Sequence, residues 1–151
     1  ALVIYQLATA AGMRALASAG LDPAWGGWLA AEGNPGAAFN MIESDQRKSA
    51  FLRSVARECG IKCMVISKRI EMIDPLAASI VSARALADLR TLLSFCDRHL
   101  RTDGTALLPK GANWKKELED AREEWNFQAE AITSLTEPQA VILKINGVSR
   151  G

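Results

Sequence analysis

Three short stretches place charged side chains where an α/β protein does its chemistry. The apolar run Ala37-Ala38-Phe39-Asn40-Met41-Ile42 ends on Glu43, and Arg47 and Lys48 follow within about one helical turn. A carboxylate at the carboxyl end of a strand can accept two hydrogen bonds from a diol, as open α/β sheets do when they hold the ribose of a nucleotide. The same carboxylate would also favour the positive end of the helix that follows it. Spacing alone leaves both readings of Glu43 open. Ser82-Ala83-Arg84-Ala85 closes a second apolar run and Pro109-Lys110-Gly111 a third. Arginine grips phosphate with two parallel N–H bonds and lysine does so as a point charge. Arg47, Lys48, Arg84 and Lys110 at three strand ends therefore predict a basic rim facing phosphate or a polyanion.

Little else in the chain offers catalysis. The single histidine, His99, falls at a helix end, where an imidazolium favours the negative pole of the helix dipole. Cys59, Cys63 and Cys96 form no CxxC pair and stand in no arrangement with the histidine. A metal site and a disulfide framework are therefore not expected, and reduced cytosolic thiols are. Cys63 and Cys96 fall on apolar faces and read as core. Trp114 and Trp125 could pack or stack on a base.

These residues have to be positioned by one domain of ordinary composition. The 151 residues are 49% hydrophobic and 23% charged, with eleven glycines and five prolines, which excludes disordered and fibrous classes. A net charge of +1 advertises neither a nucleic acid nor a membrane in bulk, so any polyanion must be met locally. Residues 1–19 are too short and too polar to span a bilayer and lack the basic start of a signal peptide. A cytoplasmic monomer is the expectation.

Residues 1–19 read as an alanine- and leucine-rich helix stopping at Gly20. Residues 20–36, with five glycines, two prolines and two tryptophans, read as a loop at a special site. A strand over 37–42 leads to a helix capped by Ser44 or Asp45 and closed by Gly60. Strands are expected at 63–66, 78–82 and 105–108, with a helix over 86–100 and a turn at Thr102-Asp103-Gly104 between the last two. A polar helix over 113–124 precedes strands at 127–133 and 140–145 that turn at Glu137-Pro138. Strands alternating with helices and then a strand pair predict an α/β sheet, mainly parallel with an antiparallel C-terminal edge, helices on both faces.

The run Phe39-Asn40-Met41-Ile42-Glu43-Ser44-Asp45-Gln46-Arg47-Lys48-Ser49-Ala50-Phe51-Leu52-Arg53, with Val55-Ala56-Arg57-Glu58, resembles the acidic-strand and basic-helix signature of the glucose-inhibited division protein B family. The resemblance continues through Lys68-Arg69-Ile70-Glu71, Val81-Ser82-Ala83-Arg84-Ala85, Leu107-Leu108-Pro109-Lys110-Gly111 and Val141-Ile142-Leu143-Lys144-Ile145, over about residues 30–146 in order. It implies a class I, Rossmann-like methyltransferase that uses S-adenosylmethionine to methylate guanine N7 in bacterial 16S ribosomal RNA, free or in the small subunit. Carried onto this chain, it implies that Glu43, Ser44, Arg69, Ile70, Glu71 and Arg84 hold the donor. Arg84 and Lys110 would serve the transfer, and Arg47, Lys48 and Lys110 would meet RNA. Residues 1–28 would then be an N-terminal helical extension and lead-in to the first strand, and 29–151 the methyltransferase domain.

One departure stands out. Class I methyltransferases carry a glycine-rich loop after the first strand, and residues 25–36 resemble the lead-in to that strand followed directly by the end of the next helix. The favoured reading is that residues are missing there, so that neighbours near 28–31, and again between 1 and 20, are not bonded. The alternative is a non-catalytic RNA-binding module that has lost donor binding. A nicotinamide-dependent oxidoreductase shares the acidic strand end but lacks a GxGxxG loop and a proton donor.

Overall fold

A computed structural model of the chain describes residues 2–6, 39–58, 60, 63–84, 86–135 and 137–151. Backbone contacts divide it into two compact units, Ala1–Asp74 and Pro75–Gly151.

In the first unit β1 (Leu2–Gln6), β2 (Phe39–Ile42) and β3 (Met64–Ile66) run parallel, with β2 between the other two. The helical expectation for residues 1–19 fails at 2–6, where Leu2 to Tyr5 pair in register with Phe39 to Ile42. Leu-Val-Ile-Tyr is a short apolar run with β-branched and aromatic residues, which suits a parallel strand better than a helix. The rest of that expected helix, the glycine-rich stretch 20–36, and both expected breaks in the chain lie outside the described residues.

Met41, Ile42 and Glu43 are buried in succession, so β2 is covered on both faces. Helix α1 (Gln46–Glu58) packs against β3, and Met41 and Leu52 form a small core with Val55, Cys63 and Val65 around them. Asp45 caps α1 by accepting from the Lys48 N–H (2.9 Å). Gly60, at φ +67°, closes it in the left-handed conformation that glycine adopts at little cost.

In the second unit β4 (Ala78–Arg84) and β5 (Leu100–Lys110) are parallel, and β5, β7 (Val141–Arg150) and β6 (Trp125–Thr133) follow in antiparallel pairs. This is the expected sheet with its antiparallel C-terminal edge. Helix α2 (Leu89–His99) connects β4 to β5 and packs on β4, β5 and β7. Helix α3 (Trp114–Arg122) packs on α2 and β6. Val81 and Ala83 of β4, Ala106 and Leu108 of β5, and Leu143 and Ile145 of β7 are buried at alternate positions. Leu89, Leu92, Leu93 and Cys96 of α2 are buried with them.

Helix α2 starts three residues later than expected, because Asp88 is its N-cap: its side chain accepts from the Thr91 N–H (2.9 Å). The expected turn at 102–104 is a bulge inside β5. Pairing with β4 jumps from Ala78↔Leu100 to Ile80↔Thr105, so the intervening β5 residues bow out of the ladder. Asn146 Nδ2 holds the bulge, donating to the Gly104 carbonyl (3.2 Å) and Thr105 Oγ1 (2.7 Å).

Gly104 is required there by close approach. A Cβ on it would lie 2.8 Å from Leu100 Cδ2, 2.9 Å from the Arg101 carbonyl oxygen and 3.0 Å from that of Ala78. Two of those atoms are backbone and cannot swing away. Gly104→Ala is expected to destabilise the protein by about 1–3 kcal/mol, the usual cost of overpacking. Urea unfolding checks this, and a midpoint equal to the parent's would show that the bulge relaxes freely.

Candidate functional site

The first unit presents its chemistry at the carboxyl ends of its parallel strands. Glu43 follows β2 directly, and its backbone N–H donates to the Ile66 carbonyl at the end of β3 (3.1 Å). The residue is 3% exposed. Its Oε1 accepts from the Asp45 N–H (2.8 Å), and its carbonyl accepts from the buried Ser49 hydroxyl (3.0 Å). The carboxylate is thus aimed by the Asp45 amide, while the residue's own main chain is tied to the end of β3 and to Ser49 of α1. Ser44 beside it is exposed, as is Arg47 on the first turn of α1, while Lys48 is half-buried. The segment after β3 is held by Arg53 of α1, whose guanidinium donates to the Val65 carbonyl (3.1 Å) and Ser67 Oγ (2.7 Å). Beyond it Arg69 precedes a single 3-10 turn, Ile70–Met72, in which Ile70 is buried and Glu71 exposed. Glu43, Ser44, Arg47, Lys48 and Arg69 to Glu71 therefore gather at one end of the strands.

The second unit treats its two expected cations differently. Arg84, the last residue of β4, is exposed, one position past the buried Ala83. Lys110, the last residue of β5, continues the buried series Gly104, Ala106, Leu108 and so belongs to the opposite face of the sheet. Its side chain is 8% exposed and pairs with Glu117 of α3 at 2.6 Å. Lys110 Nζ also donates to the Ala87 carbonyl (3.0 Å). The strand ends expected to form one rim thus carry one outward cation and one enclosed cation.

Residue spacing does not single out Glu117, Asp88 or Arg53. The apolar periodicity places Asp88 inside a helix beginning at Leu86, although an Asp three residues before Thr91 is an ordinary capping signal. Arg90 joins α2 to the end of α3, donating to the Asp120 carbonyl and pairing with Glu123 and Glu124.

Neither described thiol is a nucleophile. Burial raises the pKa of Cys63, and burial with the nearby Asp97 charge pushes Cys96 up to about 12, so neither is a thiolate nucleophile near neutrality. Both line apolar packing as expected. His99 is fully buried in the last turn of α2. Trp125 is buried with the Arg150 guanidinium over its ring, which leaves packing as its role. Among the described residues no group of acids, cysteines and histidine is arranged to hold a metal ion, and no helix is long and apolar enough to cross a membrane.

This architecture is shared with solved methyltransferases. The ribosomal protein L11 methylase of Lactobacillus delbrueckii subsp. bulgaricus matches 99% of this chain and 69% of its own, with a TM-score of 0.62 at 17% identity. An rRNA methylase from Streptococcus thermophilus matches 98% of this chain and 87% of its own (TM-score 0.57, 13% identity). M. jannaschii TYW2 in complex with AdoMet matches 99% and 69% (TM-score 0.58, 11% identity). At such identities the likeness defines the fold, that of class I methyltransferases.

The sequence goes further. Residues 30–144 match the model of the GidB family, rRNA small subunit methyltransferase G, and the chain belongs to that family. It is 68% identical over 122 residues to the ribosomal RNA small subunit methyltransferase G of Ruegeria pomeroyi, and 57% identical over 122 residues to that of a Ruegeria species. Each alignment covers 81% of this chain, which spans about 60% of the length of either relative.

The cap on α2 yields a prediction with a definite sign. The Thr91 N–H bond, opposed by slight burial and aided by Lys110 and Arg90, holds the Asp88 carboxyl below its ordinary value of 3.8. A depressed pKa contributes stability that is present above that value and is lost as pH falls through the folded-state pKa. Asp88→Ala is expected to cost about 0.5–2 kcal/mol at pH 7, as cap removal does. The gap from the parent should narrow as pH is lowered below 3.8. Denaturant titrations at pH 7 and at pH 3 test this, and a gap that widens in acid would contradict it.

Proposed function

We propose that the protein is an S-adenosylmethionine-dependent methyltransferase acting on guanine N7 of 16S ribosomal RNA, in the cytoplasm. Membership of the rRNA small subunit methyltransferase G family supports this, and the observation that carries it is the aimed carboxylate of Glu43. A carboxylate held in place through one oxygen by a backbone amide suits the ribose diol of a nucleoside donor. The residues that follow β2 and β3 suit the same donor: Ser44 lies next to Glu43 in sequence, and Arg69, Ile70 and Glu71 are assigned to the adenine end by family resemblance. Ile70 is buried between these two exposed charged neighbours.

When bound, S-adenosylmethionine supplies an activated methyl group. The chain's own residues hold and align. Arg84 serves the transfer by family resemblance, and its exposed guanidinium suits a phosphate or the guanine edge. Arg47 and Lys48 face RNA from the first turn of α1. Lys110 serves through the segment that it holds. Guanine N7 carries an exposed lone pair, so no proton need be removed before transfer and no general base is required. Alignment of the reacting groups then supplies most of the rate. That suits a chain whose Cys63 and Cys96 thiols are held protonated by burial and whose histidine is enclosed.

Mass mapping of 16S ribosomal RNA from cells lacking the gene is expected to show one guanine without its methyl group, restored by complementation. An unchanged modification pattern would overturn the reading. Arg84→Ala should slow methyl transfer while changing stability by less than about 0.5 kcal/mol. A parent rate in that variant would remove Arg84 from the site. Glu43→Ala should weaken donor binding by about 1.5–3 kcal/mol, measured by equilibrium dialysis, as loss of a hydrogen bond to a charged group does. Unchanged affinity would leave Glu43 as a helix-dipole partner only.

A further inference from the structure

Three segments of the second unit meet at one carboxylate oxygen. Glu117 Oε2, in the first turn of α3, accepts from Lys110 Nζ at the end of β5 (2.6 Å) and from the Leu89 N–H at the start of α2 (2.9 Å). Lys110 Nζ reaches on to the Ala87 carbonyl (3.0 Å). The pair is largely enclosed, with side-chain exposures of 8% for Lys110 and 28% for Glu117. Residues 86–89, gripped from both partners, begin two positions after Arg84.

We propose that Glu117 is a positioning residue for methyl transfer, acting through Lys110 and the Leu89 N–H to hold residues 86–89 and with them the end of β4 that carries Arg84. This rests on the methyltransferase reading above. Lys110 spends its donors inward, on Glu117 and Ala87, so its charge is matched within the protein and not by RNA phosphate. Helix α2 does not need Glu117 in order to form, because Asp88 caps it independently through Thr91. What Glu117 adds is the tie from that helix start to β5 and α3, a constraint on where the segment behind Arg84 sits. A small displacement there is enough to slow a reaction governed by alignment.

The test uses the intact protein with Glu117→Ala, Lys110→Met, the double variant and Glu117→Gln. Each of the first two should lower kcat at least tenfold, and the double should be no slower than the slower single, because the pair acts as one device. Donor affinity should stay within twofold of the parent, and the salt slope of RNA binding should be unchanged. Glu117→Gln retains a carbonyl acceptor for both donors and should recover most of kcat. A parent kcat in Glu117→Ala, or losses that multiply in the double, would overturn the proposal. So would a salt slope in Lys110→Met reduced by about 0.7–0.9, which is the signature of one lost phosphate contact.

A second measurement needs neither a variant nor activity. The first amides of a helix ordinarily lack partners, so slow hydrogen exchange at Leu89 in the parent protein reports the tie directly. Exchange at the rate of an unprotected amide would overturn it. A parent protein that binds RNA but transfers no methyl group would instead defeat the methyltransferase reading, with the exchange result still deciding whether the tie exists.

Discussion

A charged carboxylate enclosed at the end of a strand is the constraint on which the first unit turns. Burying such a group without partners costs far more than a small unit can spare, and Glu43 avoids this through the chain that follows it. The Asp45 N–H turns back onto Oε1, Ser49 reaches the Glu43 carbonyl, and the Glu43 N–H completes the pairing of β2 with β3. An unsatisfied partner in this set would cost about 1–3 kcal/mol. The start of α1 is therefore fixed where it is, and Arg47 and Lys48 with it. One arrangement satisfies the strand end, opens the helix and aims a carboxylate.

The second unit solves the same problem with another acid. Glu117 takes the ammonium of Lys110 and an orphan amide of α2 on a single oxygen. The basic rim suggested by residue types thus becomes a division of labour: Arg84 outward and available, Lys110 inward and engaged. Acids organise both sites, while the outward cations are left for an anionic partner. That fits a chain whose net charge is only +1.

Much of this is legible in the amino-acid sequence. Glu43 stands out because it ends a short apolar run, and Arg84 because it ends another. The alternation of strands and helices follows from periodicity, and family motifs supply the roles. The side of the sheet to which Lys110 points is not legible. Leu107 and Leu108 are both apolar, so alternation along β5 cannot be read from hydrophobicity. The parity is set by pairing with β4 beyond the bulge at 101–104, which looks like an ordinary turn. Glu117 escapes notice because its partners lie on a strand end and another helix, a tertiary fact with no local spacing rule. Leu2 to Gln6 passes for helix because the helical pattern of the alanine-rich sequence after it masks its own short β-branched and aromatic run, which the pairing with β2 brings out.

The aimed carboxylate of Glu43 belongs, on this reading, to a donor site. Calorimetric titration of the intact protein with S-adenosylmethionine or its demethylated product tests that assignment most directly. Saturable binding with one site per chain is the expected result. Titrations without binding heat, in a protein that still binds 16S ribosomal RNA, would contradict it and leave an RNA-binding module on a methyltransferase fold.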